Sequence, residues 1–181
     1  MSGRRLYVAA ACPKDGRCAW SWRLVTPGEG FQDATGGEAW ASPYRLHLLA
    51  LVDALERVPQ ETELTVVTTD QLLVDVLDRY LEDWARTGLR KQTNQDLIAS
   101  LLPWVGLLKG ERLTSRTGDP HAKDCKKHAK EASPRVELVK VAPGPVQVRD
   151  DVQVVAWTDG GSRTNPVPSG WGALIVHLAT S

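Results

Sequence analysis

In the segment Leu64-Thr65-Val66-Val67-Thr68-Thr69 every residue after the first is β-branched, and it lies between two stretches of helical periodicity. Branching at Cβ restricts χ1 and suits a pleated, packed surface. Upstream, Leu48, Leu51, Val52, Leu55 and Val58 recur at helical spacing from Tyr44 to Val58, opened by Ser42-Pro43 and stopped by Pro59. Downstream, Leu73, Val76, Leu77, Tyr80, Leu81 and Trp84 recur at offsets of three and four. A buried strand set between amphipathic helices predicts an α/β fold.

The remaining elements extend that reading. Leu6–Ala11 and Cys18–Val25 read as a hairpin around Lys14-Asp15-Gly16, and Phe31–Trp40 as a third strand interrupted at Gly36-Gly37. After the second helix comes a basic loop, Arg86–Thr93, then a third helix capped by Asn94 and running to Val105. Glu111–Arg116 is expected as a fifth strand, and His121–Ala132, begun by Asp119-Pro120, as the last helix. Three antiparallel strands followed by parallel ones, flanked by helices, make a mixed sheet. Ser133–Asp151 holds Pro134, Pro143, Gly144 and Pro145 and reads as a linker. Beyond it, Val152–Thr158 and Gly170–Leu178 read as an extra C-terminal β-hairpin. The expected division is a domain over 1–132, a linker over 133–151 and a hairpin over 152–181.

Composition narrows the function classes. Of 181 residues, 22 are Lys or Arg and 22 Asp or Glu, so any nucleic-acid contact must come from a local patch rather than an overall basic sheath. Residues 53–83 carry nine acids and two bases, whereas 109–135 carry eight bases and four acids. No apolar run reaches the ~18 residues a membrane helix needs. Three cysteines, Cys12, Cys18 and Cys125, cannot all pair within the chain, which suits a reducing, cytoplasmic setting.

Two strand–turn–strand segments resemble each other: Tyr7–Cys12 aligns with Trp157–Ser162, placing Ala9 and Asp159 150 positions apart. This spacing is one domain length and points to a tandem duplication whose second copy breaks off after one hairpin. The string Thr158-Asp159-Gly160-Gly161-Ser162-Arg163-Thr164-Asn165-Pro166, followed by Gly170-Trp171-Gly172-Ala173, is similar to the opening of type 1 ribonuclease H. The first copy resembles the same family over residues 5–132, in element order, in Thr69-Asp70, in Trp84 with Gly88, in Asn94-Gln95-Asp96-Leu97, and in Gly118-Asp119-Pro120 with Cys125.

The resemblance implies a ribonuclease H-like fold and a chemistry in which two Mg²⁺ ions, held by four carboxylates, cut the RNA strand of an RNA–DNA hybrid. In the first copy the four acid positions fall on Ala9, His47, Asp70 and Lys126. Only Asp70 is an acid. A lysine where an ion would sit repels it, by about 4 kcal/mol per unit-charge pair at ~4 Å and an effective dielectric of 20. In the second copy Asp159 takes the first acid position. Asp70 and Asp159 are therefore the catalytic and Mg-ligating candidates, too few for a complete site. The family's hybrid-binding positions correspond to Tyr80, Trp84, Gly88, Arg90, Lys91, Arg116 and Asn165, and the last helix adds Lys123, Lys126, Lys127 and Lys130. The expected partner is an RNA–DNA hybrid or other nucleic acid. A non-catalytic nucleic-acid-binding or protein-docking module is the alternative, and the two strands at the C-terminus raise a strand-exchanged homodimer.

Plainer roles stand beside these. Asp70 can be a helix cap, and Tyr80 with Trp84 can be core residues on one helix face. The lysines of the last helix can be a solvated face. His121, Cys125 and His128 share a helix face, where a zinc site would need a fourth ligand; Cys125 is equally a small buried hydrophobe.

Overall fold

A computed structural model describes residues 3–59, 62–89, 92–114 and 118–138, and the backbone alone of two further strands within 153–178. Two compact units, Met1–Val139 and Lys140–Ser181, divide the chain.

The first unit is a five-stranded sheet in the order β3-β2-β1-β4-β5, formed by β1 (Arg4–Ala11), β2 (Ala19–Thr26), β3 (Gly30–Gly37), β4 (Leu64–Thr68) and β5 (Leu108–Arg112). The first three strands form an antiparallel meander, whereas β4 runs parallel to β1 and β5 parallel to β4. Parallel neighbours need a crossover connection. Between β1 and β4 it contains α1 (Pro43–Leu55), capped where Arg45 N–H donates to Ser42 Oγ at 3.1 Å.

Alternation along β1 sends side chains to two cores. Leu6 and Val8 join Trp22, Leu24, Val66 and the α1 residues Leu48, Leu51 and Leu55 on one face. Tyr7 on the other face meets Val67 and Cys125, the latter from α5 (Pro120–Ala132). Leu46, Leu48 and Leu51 are fully buried, each stabilising the fold by about 1.5–3 kcal/mol relative to exposure.

Four elements depart from the sequence expectation. Strand β3 runs unbroken through Gly36 but ends at Gly37, short of Trp40; the Trp20 ring lies where a Gly36 Cβ would stand, so glycine is the residue that fits there. The second helix divides into α2 (Gln71–Asp75), a π turn over Val76–Tyr80 and α3 (Leu81–Thr87). The third is α4 (Gln95–Leu101), tightening into a 3-10 turn at Leu102–Trp104 because Pro103 supplies no N–H. Asn94 does not cap it; with φ 60° it turns its Oδ1 to accept from Arg45 Nη1 at 3.2 Å. Strand β5 begins three residues earlier than Glu111, since buried Leu108 pairs with Leu64, and Gly110 N–H donates to Asp78 Oδ1 at 2.7 Å.

The second unit contains β6 (Gln153–Gly161) and β7 (Gly170–Leu178), an antiparallel ladder running from Gln153 opposite Leu178 to Gly161 opposite Gly170.

Candidate functional site

Beyond the carboxyl ends of β1 and β4 a cavity of about 390 Å³ opens between the start of α1 and the middle of α5. Ala9, His47, Asp70 and Lys126 all line it. These are the four positions that the sequence resemblance aligned with the acids of a metal site. They come from four separate elements, so their convergence follows from the topology alone.

The chemistry inside is not that of an acidic cluster. Asp70 follows β4 and caps α2: Leu73 N–H donates to its Oδ1 at 2.9 Å, and its own N–H donates to Thr68 Oγ1 at 3.1 Å. The cap expected as the plainer role is present, and Asp70 lines the cavity as well. His47 sits one helical turn into α1 with its side chain 7% exposed. Its Nδ1 lies 2.8 Å from the Pro43 carbonyl oxygen, which places the proton of the neutral ring on Nδ1. Asp70 Oδ2 stands 3.7 Å away from the same nitrogen. Burial lowers the His47 pKa below the ordinary histidine value, against smaller opposing effects of the Pro43 carbonyl and the Asp70 charge. A neutral ring so held leaves Nε2 as a buried acceptor, and it finds no hydrogen-bond partner among the described residues.

Lys126 is an exposed residue of α5 whose ammonium makes no ion pair or hydrogen bond within the described residues. Its neighbour Cys125 anchors the helix: Ser21 Oγ donates to the Cys125 carbonyl oxygen at 2.5 Å and lies 3.0 Å from Sγ. Burial pushes the Cys125 thiol up to about 11. Cys12 also lines the cavity, a residue sequence reasoning passed over; burial and the neighbouring Cys18 thiol push it up to about 12. Tyr44 is raised to about 12, by burial first and then by the negative charge of Asp70.

The fold's resident metal would be Mg²⁺, which takes hard oxygen ligands in octahedral geometry. The residues here do not fit it. Among the described residues one carboxylate is available, half of it committed to a helix cap, with a methyl group, a neutral imidazole and an ammonium at the other three positions. Among the described residues no group of three or more His, Cys, Asp or Glu side chains could hold a metal ion. The zinc alternative on α5 falls with it. His121 packs against the Tyr7 ring at 5.5 Å, Cys125 is buried against Ser21, and His128 Nδ1 faces Asp33 at 3.5 Å.

A second cavity, of about 360 Å³, lies along the π turn and is lined by Tyr44, Leu72, Tyr80, Trp84 and Gln92 among others. Tyr80 stacks on Trp84 with ring centroids 5.6 Å apart and planes 21° from parallel. Tyr80 is 44% exposed and Leu72 49% exposed. The pair therefore forms an open aromatic wall, although Trp84 also packs on the core. Of the other nucleic-acid candidates, Arg90, Lys91, Arg116 and Asn165 lie outside the described residues. Asp159 is placed by backbone alone, in β6 opposite Gly172; its side chain lies outside the described residues. Gly88, with φ 86°, closes α3.

Sequence reasoning also missed the network behind α5. Arg23 is buried in β2, where it donates to Asp33 at 2.9 Å and to Asp124 at 2.8 Å, with its guanidinium 4.1 Å from the Phe31 ring centroid. A lone arginine in an alternating strand gives no signal of such partners, because they come from β3 and α5.

No protein-family model matches the chain. It is 25% identical over 137 residues to a ribonuclease H of Syntrophomonas wolfei, covering 70% of this chain and 93% of that protein. A ribonuclease HI of Campylobacter jejuni is 29% identical over 93 residues, covering 51% of this chain and 63% of that one. Among solved structures, the fold is similar to that of LC9-RNase H1, described as a type 1 RNase H with the type 2 active-site motif. The TM-score is 0.56 with 15% identity, over 74% of this chain and 73% of that one. The mixed sheet and its strand order make this a ribonuclease H-like fold, and the sequence likenesses are to proteins named ribonuclease H.

Proposed function

We propose that the Met1–Val139 unit engages RNA–DNA hybrids, or nucleic acid of similar A-like geometry, without cutting them. The observation that carries this reading is the convergence of Ala9, His47, Asp70 and Lys126 on one cavity. The site's architecture is retained while three of its four acid positions carry no acid. Two-metal hydrolysis needs carboxylates to hold both ions. Backbone recognition of an A-like duplex needs shape and phosphate contacts. The aromatic wall of Tyr80 and Trp84 and the basic loop with Arg90 and Lys91 would supply these, with Arg116 and, from the second repeat, Asn165.

Asp159 is the first acid of a second copy in this reading, and 152–181 its opening hairpin. A strand-exchanged homodimer would cover the edges of β6 and β7. We place the protein in the cytoplasm, since Cys12, Cys18 and Cys125 are all free thiols. Among the described residues no helix is long and apolar enough to cross a membrane.

The test is a labelled RNA–DNA hybrid in two assays. Fluorescence anisotropy is expected to show salt-sensitive binding, and a gel assay with Mg²⁺ is expected to show no cleavage. Turnover that is abolished by Asp70→Asn or Asp159→Asn would refute the non-cutting reading. Absence of binding would refute the whole.

A further inference from the structure

The cavity at the ends of β1 and β4 differs from a weakened metal site in the sign of the charge that Lys126 brings to it. We propose that it is a metal-free phosphodiester site, in which the Lys126 ammonium supplies the positive charge that binding a nucleic-acid backbone requires. The inference rests on the nucleic-acid reading above and names what that site takes and on what terms.

Three observations converge. Lys126 lines the cavity and is held there by the buried Cys125 beside it, yet its ammonium has no acidic partner within the described residues. An exposed lysine spent on a surface ion pair would look like Lys127, whose Nζ lies 3.8 Å from Glu131. Asp70, the only carboxylate lining the cavity among the described residues, has one oxygen occupied by Leu73 N–H and its side chain is 16% exposed. And a third position holds His47, whose buried Nε2 has no partner among the described residues, so the wall beside the ammonium is a neutral ring and not an acid. A phosphodiester beside the ammonium supplies the missing negative charge. A divalent cation does not, since the ammonium repels it.

The consequence is that divalent ions do not assist binding here. A site built from carboxylates requires a cation between itself and a phosphate. A site with a free lysine requires none, and added Mg²⁺ acts only as a screening and competing ion.

The experiment measures the Kd of the full chain for a fluorescein-labelled RNA–DNA hybrid, in EDTA and in millimolar Mg²⁺ at matched ionic strength. Affinity in EDTA is expected to equal or exceed that in Mg²⁺. Lys126→Ala is expected to weaken binding about tenfold and to reduce the slope of log K against log salt by about 1. Lys126→Arg is expected to retain most of the affinity, and Lys109→Ala, on β5 away from the cavity, to leave it unchanged. Circular dichroism of each variant checks the fold. Binding that requires Mg²⁺, or that is unmoved by Lys126→Ala, overturns this proposal and leaves the hybrid-binding reading standing. No binding in either buffer overturns both.

Discussion

Tyr7 Oη donates to Asp119 Oδ2 at 2.9 Å, while Asp119 Oδ1 accepts from His121 N–H at 2.9 Å and Ala122 N–H at 3.3 Å. One carboxylate thus caps α5 and ties it to the central strand, fixing the helix that carries Lys126 against the sheet. Asp119→Ala is expected to destabilise the first unit by about 2 kcal/mol, losing a cap and a partly buried hydrogen bond. Tyr7→Phe, which removes only the second of these, is expected to cost about 1 kcal/mol. Urea denaturation of both single variants and the double variant would give the coupling, and additive losses would mean that the Tyr7–Asp119 hydrogen bond contributes nothing to stability.

The buried His47 makes stability depend on pH. Its folded pKa is lowered, so as pH falls the unfolded chain takes up the proton first. The histidine contribution is therefore fully present above about 7, and it is lost as pH falls through ~6.5 toward the folded value. The slope from this group cannot exceed about 1.4 kcal/mol per pH unit. Urea midpoints between pH 7.5 and pH 5 are expected to fall in the native chain, and to fall less in His47→Gln.

Cys12 is exposed as a residue, yet its thiol is pushed up to about 12 by burial of the sulfur and the neighbouring Cys18. Reactivity follows the thiolate. Alkylation of Cys12 by iodoacetamide at pH 8 is expected to be on the order of 10³-fold slower than that of a free thiol titrating near 8.5. Mass spectrometry of labelled peptides over time checks this, with labelling in denaturant as the reference rate.

Gly110 in β5 has Val74 directly over it, so an added Cβ would meet Val74 Cα at 2.9 Å. Because that neighbour is backbone, it cannot rotate away. Gly110→Ala is expected to cost about 1–3 kcal/mol and to lower the thermal midpoint. Asp78→Ala, which strands the Gly110 N–H, is expected to act at the same contact.

The parts of the fold that the sequence announced are those where local signals and packing agree. The β-branched run at Leu64 formed β4, Ser42-Pro43 opened α1, and Asp119-Pro120 opened α5, each by a mechanism confined to a few residues. β5 was misplaced because Leu108-Lys109-Gly110-Glu111-Arg112 is half charged and holds a glycine; only Leu64 beside it and Val74 above it make it a strand. Asn94 looked like a cap, but Arg45 from α1 claimed its side chain. In the cavity, the family pattern located Ala9, His47, Asp70 and Lys126. It said nothing of Cys12, or of the Pro43 carbonyl that fixes the His47 tautomer, since neither follows from a motif.

The π turn at Val76–Tyr80 widens one loop of the helix by a residue, so that Leu77 and Leu81 keep their places in the core while Tyr80 swings outward beside Trp84. Such a turn is a helix carrying one surplus position. Excising Arg79 would let the backbone revert to regular α-helical winding, at the expense of the aromatic shelf and not of the interior. The exposed aromatic pair is thus encoded by a single-residue change in chain length, which lets it be gained or lost without rebuilding the domain beneath it.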